Sequence, residues 1–140
     1  MITDFEEQTQ PLDLNEKKCM EIIARGLSKP ERLGKDNAIT NKEMCQKMNQ
    51  AISDGAFKDL PRDYKLTSVR IRKIINQIRT DDIVPLLCAT ATGYFVANTR
   101  EEAESYMRSL KDRISSIQEV ATSFAKQYNE KFKTNQIDFK

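Results

Sequence analysis

The stretch that decides the fold is Leu66–Asn98, LTSVRIRKIINQIRTDDIVPLLCATATGYFVAN. Its first half places Ile71, Ile74, Ile75 and Ile78 on one side of a helix at about 100° per residue. The opposite side is centred on Val69, Arg72, Lys73 and Asn76, with Arg70, Gln77 and Arg79 flanking it. Thr67 is a suitable N-cap, and Asp81-Asp82 end the helix. Ile83–Thr90 then reads as a strand whose early part Pro85 keeps at an edge. Tyr94–Ala97 is its return, and the turn falls at Ala91-Thr92-Gly93, where glycine supplies the permissive dihedral. A basic helix running directly into a hairpin is how a winged helix-turn-helix presents itself in sequence.

Upstream, TNKE makes Thr40 the N-cap of a second helix and Glu43 its capping-box partner. Met44, Met48, Ala51 and Ile52 follow at helical spacing, with Cys45 beside them, and the helix ends near Ser53-Asp54-Gly55. Ala38-Ile39 suits a very short strand, the third of a winged-helix sheet. The connection GAFKDLPRDYK, anchored by Phe57, Leu60 and Tyr64, is long for a helix-turn-helix. Within residues 49–66 either an extra helical turn is present or the second helix stops earlier. A first helix spans the segment from Asp13 to Leu27, with Asp13 and Glu16 as a capping box and Cys19, Ile22, Ile23 and Leu27 on one face. Residues 1–11 lack periodicity, although Phe5 is placed to tuck onto the core, and Pro11 marks a break.

Downstream, Thr99 and Glu102 form a third capping box. From there Ala103, Met107, Leu110, Ile114, Ile117, Ala121, Phe124 and Tyr128 alternate spacings of four and three, a heptad seam with polar residues facing away. A helix from Arg100 to Phe132 is roughly 50 Å long at 1.5 Å per residue, longer than a domain of this size is wide. Its far end needs a partner, so Leu110, Ile114, Ile117, Ala121, Phe124 and Tyr128 are the expected dimerisation residues. The tail TNQIDFK is expected to fray. The organisation is then an extension over residues 1–11, a winged helix-turn-helix over 12–98, and a long helix over 99–140. The fold class is mainly α with a small β-hairpin.

Composition bounds the function. The 140 residues are 39% hydrophobic and 31% charged, which suits one soluble helical domain with an appended helix. No apolar run reaches the ~20 residues of a membrane span, so no membrane partner is expected. MITDFEEQTQ is acidic and does not read as a signal peptide. Cys19, Cys45 and Cys88 are far apart and odd in number, which points to free thiols in the cytoplasm rather than zinc or disulfides. Net charge is only +2, but it is unevenly placed. Residues 65–79 carry five bases and no acid, whereas residues 1–16 carry five acids and no base.

That asymmetry fits a nucleic-acid contact confined to one face. A major groove admits one helix, arginine and lysine reach guanine or phosphate, and asparagine or glutamine pair with adenine. Arg72, Lys73 and Asn76 are the expected groove contacts, with Gln77 beside them. Arg70, Arg79 and Lys42 are placed to neutralise phosphates, and Thr92 to touch the backbone from an uncharged wing tip. A basic outer face can also be merely solvated; the order helix, short strand, capped helix, basic helix, hairpin favours binding. Catalysis has little support. The chain has no histidine and no glycine-rich phosphate loop, and no cofactor or metal is expected. The rival reading is a winged-helix adaptor that binds protein, through the same basic face or the last helix.

The segments FEEQTQPL (5–12), AITNKE (38–43), VRIRKIINQIR (69–79) and TGYFVANTREEAESYMRSLKDR (92–113), in that order and spacing, resemble a family. They are similar to small winged-helix proteins of bacteriophages and integrated elements in Bacteroides-type bacteria. The resemblance implies a DNA-binding winged helix in regulation or replication of a mobile element. It puts DNA-facing roles on Arg70, Arg72, Lys73 and Asn76 and carries over no catalytic residue. The uncharged wing tip departs from the family pattern.

Overall fold

The structure is a computed structural model and describes residues 10–132. The expectations for Phe5 and for the TNQIDFK tail fall on residues outside that range. The chain divides after Thr99 into two units, described separately.

In the first unit, α1 (Leu14–Leu27) starts at Asp13, whose carboxylate accepts the Glu16 amide at 2.8 Å while Glu16 accepts the Asp13 amide at 2.9 Å. Two short 3-10 turns, Pro30–Arg32 and Lys35–Asn37, lead to α2 (Asn41–Ser53), which carries the second capping box at Thr40 and Glu43. Helix α3 (Ser68–Thr80) begins after the Thr67 cap and ends at Asp81. Strands β1 (Leu87–Thr90) and β2 (Gly93–Val96) form an antiparallel hairpin with Leu87 opposite Val96 and Thr90 opposite Gly93. The order is that of a winged helix-turn-helix.

The connection between α2 and α3 contains no extra helix. It is built from two tight turns, in which the Leu60 amide donates to the Phe57 carbonyl and the Tyr64 amide to the Pro61 carbonyl. Leu60 and Leu66 are buried as its anchors, and α2 runs to Ser53.

The first strand is shorter than its sequence suggests. Asp82 and Leu86 both adopt left-handed backbone, with φ of 57° and 62°, so the segment from Ile83 to Leu86 bends instead of extending. Only from Leu87 does the chain settle into the ladder. The short third strand is present as a single bridge: Ile39 and Tyr94 exchange both backbone hydrogen bonds, at 2.9 and 2.8 Å. Gly93 makes this approach possible. A Cβ there would sit 2.5 Å from the Ile39 carbonyl oxygen, and its φ of 123° is one that side chains other than glycine rarely adopt.

The core forms where the apolar faces meet. Cys19, Ile23 and Leu27 of α1, Met44, Met48 and Ile52 of α2, and all four α3 isoleucines are buried together with Ile39, Leu87 and Tyr94. The second unit contains α4 (Arg100–Phe132), 33 residues without interruption. Met107, Ile114, Ile117, Val120 and Phe124 are more than half exposed along it. No helix among the described residues is long and apolar enough to cross a membrane.

Candidate nucleic-acid interface

Helix α3 has an apolar face of Ile71, Ile74, Ile75 and Ile78, each no more than 1% exposed. Helical angle alone sets Lys73 opposite that face, yet Lys73 is only 7% exposed. Its Nζ donates to Glu16 Oε1 at 2.7 Å, and Glu16 is itself 1% exposed. This corrects the expectation that Lys73 probes a DNA groove. The N-terminal turn of α1 lies over that side of α3, and the long lysine stem carries the ammonium to the one buried carboxylate it can reach. Glu16 thereby serves two partners, the Asp13 amide and the Lys73 ammonium.

Arg70 is drawn to the same side. Its guanidinium carbon is 5.4 Å from the centre of the Tyr64 ring, within cation–π range, and the charges of Glu16 and Asp13 reach it. Burial pushes the Tyr64 hydroxyl up to about 12, against the opposing pull of Arg70. Arg70 is thus half-buried over an aromatic ring rather than held out as a free phosphate contact.

The strip of α3 left free is narrower than the sequence suggests. It consists of Asn76 and Thr80, both exposed, with half-buried Val69, Arg72 and Arg79 beside them. Arg79 Nη2 donates to Asn76 Oδ1 at 3.3 Å, which joins two predicted contacts into one donor-bearing group. Arg72 lies near Cys45 and Tyr94. Burial raises the pKa of both, and the Arg72 charge works against the rise. Gln77 Nε2 donates to Asp81 Oδ2 at 2.6 Å, so its amide serves the end of the helix.

Around this strip, Lys42 is exposed in the first turn of α2. The same turn already holds an anion of its own, because Glu43 sits at its third position. Hydrogen bonding to Thr40 keeps the Glu43 carboxyl below the usual range. At the wing tip Thr92 is exposed, and its hydroxyl lies 2.9 Å from that of Thr90, which also accepts the Thr92 amide.

The groups that hold α3 in place were not legible as site residues. Helix α2 presents Asn41, Cys45 and Asn49 one turn apart along one row. The Asn49 amide pairs with both backbone groups of Leu66, donating at 2.9 Å and accepting at 2.8 Å. Cys45 Sγ approaches the same Leu66 carbonyl at 3.9 Å. Asn41 Nδ2 donates to the Ser68 carbonyl at 3.2 Å and to the Tyr94 hydroxyl at 2.9 Å, tying α2 to both α3 and the wing. Two asparagines eight residues apart on the edge of an apolar helix face were the available sign.

No group of three histidine, cysteine, aspartate or glutamate side chains that could hold a metal occurs among the described residues. No protein-family model, curated protein or solved structure matches the chain.

Proposed function

We propose that the chain binds double-stranded DNA without catalysing a reaction on it, through the free strip of α3. The observation that carries this reading is the exposed amide of Asn76, joined by Arg79 and standing on the same side of the helix as Arg72, on the third helix of a winged helix-turn-helix. Arginine and asparagine are the side chains that read guanine and adenine edges bidentately. Arg72 and Asn76 contact bases in this reading, with Gln77 at the margin. Arg79, Lys42 and, after a shift off Tyr64, Arg70 meet phosphates, and Thr92 touches the backbone from the wing. The resemblance to phage and integrated-element proteins suggests regulation or replication of such an element, in the cytoplasm, where three free cysteines are at home.

The exposed seam of α4 favours a homodimer. Ile114 and Ile117 are 64% and 69% exposed, Phe124 is 67% exposed, and Leu110 lies at the same seam, with Ala121 and Tyr128 half-buried beside them. Paired helices would bury these side chains and bring two copies of α3 into one assembly.

Selection of bound fragments from random DNA tests both parts. Enrichment of a sequence, lost in an Arg72→Ala, Asn76→Ala variant, supports the reading, and an inverted or direct repeat in it reports the dimer. A folded protein that retains no fragment at low salt supports the adaptor reading instead.

A further inference from the structure

An open groove of about 860 Å³ lies between α1, the first 3-10 turn and α2. No residue of α3 or the hairpin lines it, so it is separate from the proposed DNA surface. Its size falls in the usual range of binding clefts, roughly 300–1,000 Å³. The floor is apolar: Ile23, Leu27, Ile39, Met44 and Met48, with Phe57 at one side. Methionines suit such a floor because their unbranched side chains re-pack around different shapes. The rim is basic. Arg25, Lys29, Arg32 and Lys47 surround the floor, against a single acid, Glu31.

Gly26 adds an independent observation. It lies in the last turn of α1 and lines the groove, and a Cβ built on it meets nothing within 4 Å. Its backbone is ordinary helix, so nothing in the fold calls for glycine. Glycine is also a poorer helix residue than alanine at such a site. A bare helix surface inside a groove is what close approach of another backbone requires.

We propose that this groove docks an acidic peptide segment of a protein partner, one that carries bulky apolar residues between its carboxylates. The apolar anchors would fill the floor, the backbone would pass over Gly26, and the carboxylates would meet the rim. The four cations come from α1, the link that follows it, the 3-10 turn and α2, more charges than a single small carboxylate can balance. That number of cations favours an extended polyanionic segment over a small amphipathic acid.

The test is selection of random twelve-residue peptides displayed on phage against the full chain, followed by titration of the enriched peptides. The expected result is sequences with two or more acids around aromatic or aliphatic anchors. Their affinity falls at least tenfold in Gly26→Leu, which fills the bare patch, and again in Arg25→Glu, Lys47→Glu. Circular dichroism of each variant confirms the fold, which open space at Gly26 and exposure at Arg25 and Lys47 should preserve. Enrichment of basic or neutral peptides, affinities unchanged in both variants, or no enrichment at all overturns the proposal. So does dodecanoate shifting the Met44 and Met48 methyl resonances when no acidic peptide is selected, which would reassign the groove to a small amphipathic anion. None of these outcomes depends on DNA binding.

Discussion

The ammonium of Lys73 and the carboxylate of Glu16 meet where both side chains are buried, so each depends on the other. Removing one partner of such a pair leaves an uncompensated buried charge, at a cost of about 3 kcal/mol or more. Lys73→Ala should therefore lower the denaturation midpoint sharply in urea titrations. Glu16→Gln with Lys73→Met, which removes both charges, should recover most of the loss. Helical angle pointed Lys73 outward because periodicity measures only its offset from the isoleucines. What lies over that flank of α3 is the start of α1, fifty-seven residues away in sequence, and no local pattern reports such a contact. Arg70 lies over the ring of Tyr64 in the preceding link, a contact the helical period does not report, whereas Arg72 and Asn76 stand where that period put them. Glu43 offers a pH test. Hydrogen bonding to Thr40 lowers its pKa in the folded chain, so its contribution to stability is present above the ordinary value of 4.5. That contribution is lost as pH falls through the lower, folded value. Thr40→Val removes the hydroxyl but keeps the backbone amide that donates to Glu43, so it should raise the Glu43 titration, followed by carboxyl NMR shifts, only part of the way to the ordinary range and reduce that part of the acid dependence.

At the scale of elements, caps and turns carry much of the design. The Thr67 hydroxyl accepts the Arg70 amide at 3.2 Å, with no reciprocal carboxylate to share the cap. Thr67→Ala should cost about 1 kcal/mol, read from urea denaturation. Gly93→Ala should cost more than its neighbours' substitutions, because the new methyl meets the Ile39 carbonyl and the backbone angle disfavours it. All four helices were legible, since three begin at capping sequences and each shows a sustained helical period. The two-turn link from Asp54 to Thr67 and the late start of β1 were not. The late start of β1 depends on backbone angles at Asp82 and at Leu86, whose side chain gives no warning of left-handed geometry, and the link on two turns closed by backbone hydrogen bonds that no periodicity marks. In α4 the heptad spacing gave the helix, and the exposure of Ile114 and Ile117 gives the test. Ile114→Glu with Ile117→Glu should turn a dimer into a monomer in sedimentation velocity without loss of helical signal. Equal sedimentation of the two proteins would remove the coiled-coil pairing.

For the whole molecule, net charge is +2, so any attraction to DNA must come from where the cations stand rather than from their number. The cations that α3 offers to such a contact come down to half-buried Arg72 and Arg79, with Arg70 held over Tyr64, which makes the proposed contact small and its salt dependence moderate. Pairing two copies through α4 would double it. The most direct measurement of the central claim is the affinity of the full chain for a mixed-sequence duplex across a salt series, beside Arg72→Ala, Arg79→Ala and Lys73→Ala. Each phosphate contact contributes a slope of about −0.9 in log affinity against log salt. The expected result is a wild-type affinity that falls moderately with salt and a slope reduced by one to two units of that size in the Arg72, Arg79 double variant, whose thermal midpoint stays unchanged. Lys73→Ala should lower the midpoint while leaving the slope of the folded fraction alone. A folded wild-type chain with no affinity at low salt, or a slope untouched by losing both arginines, would contradict it.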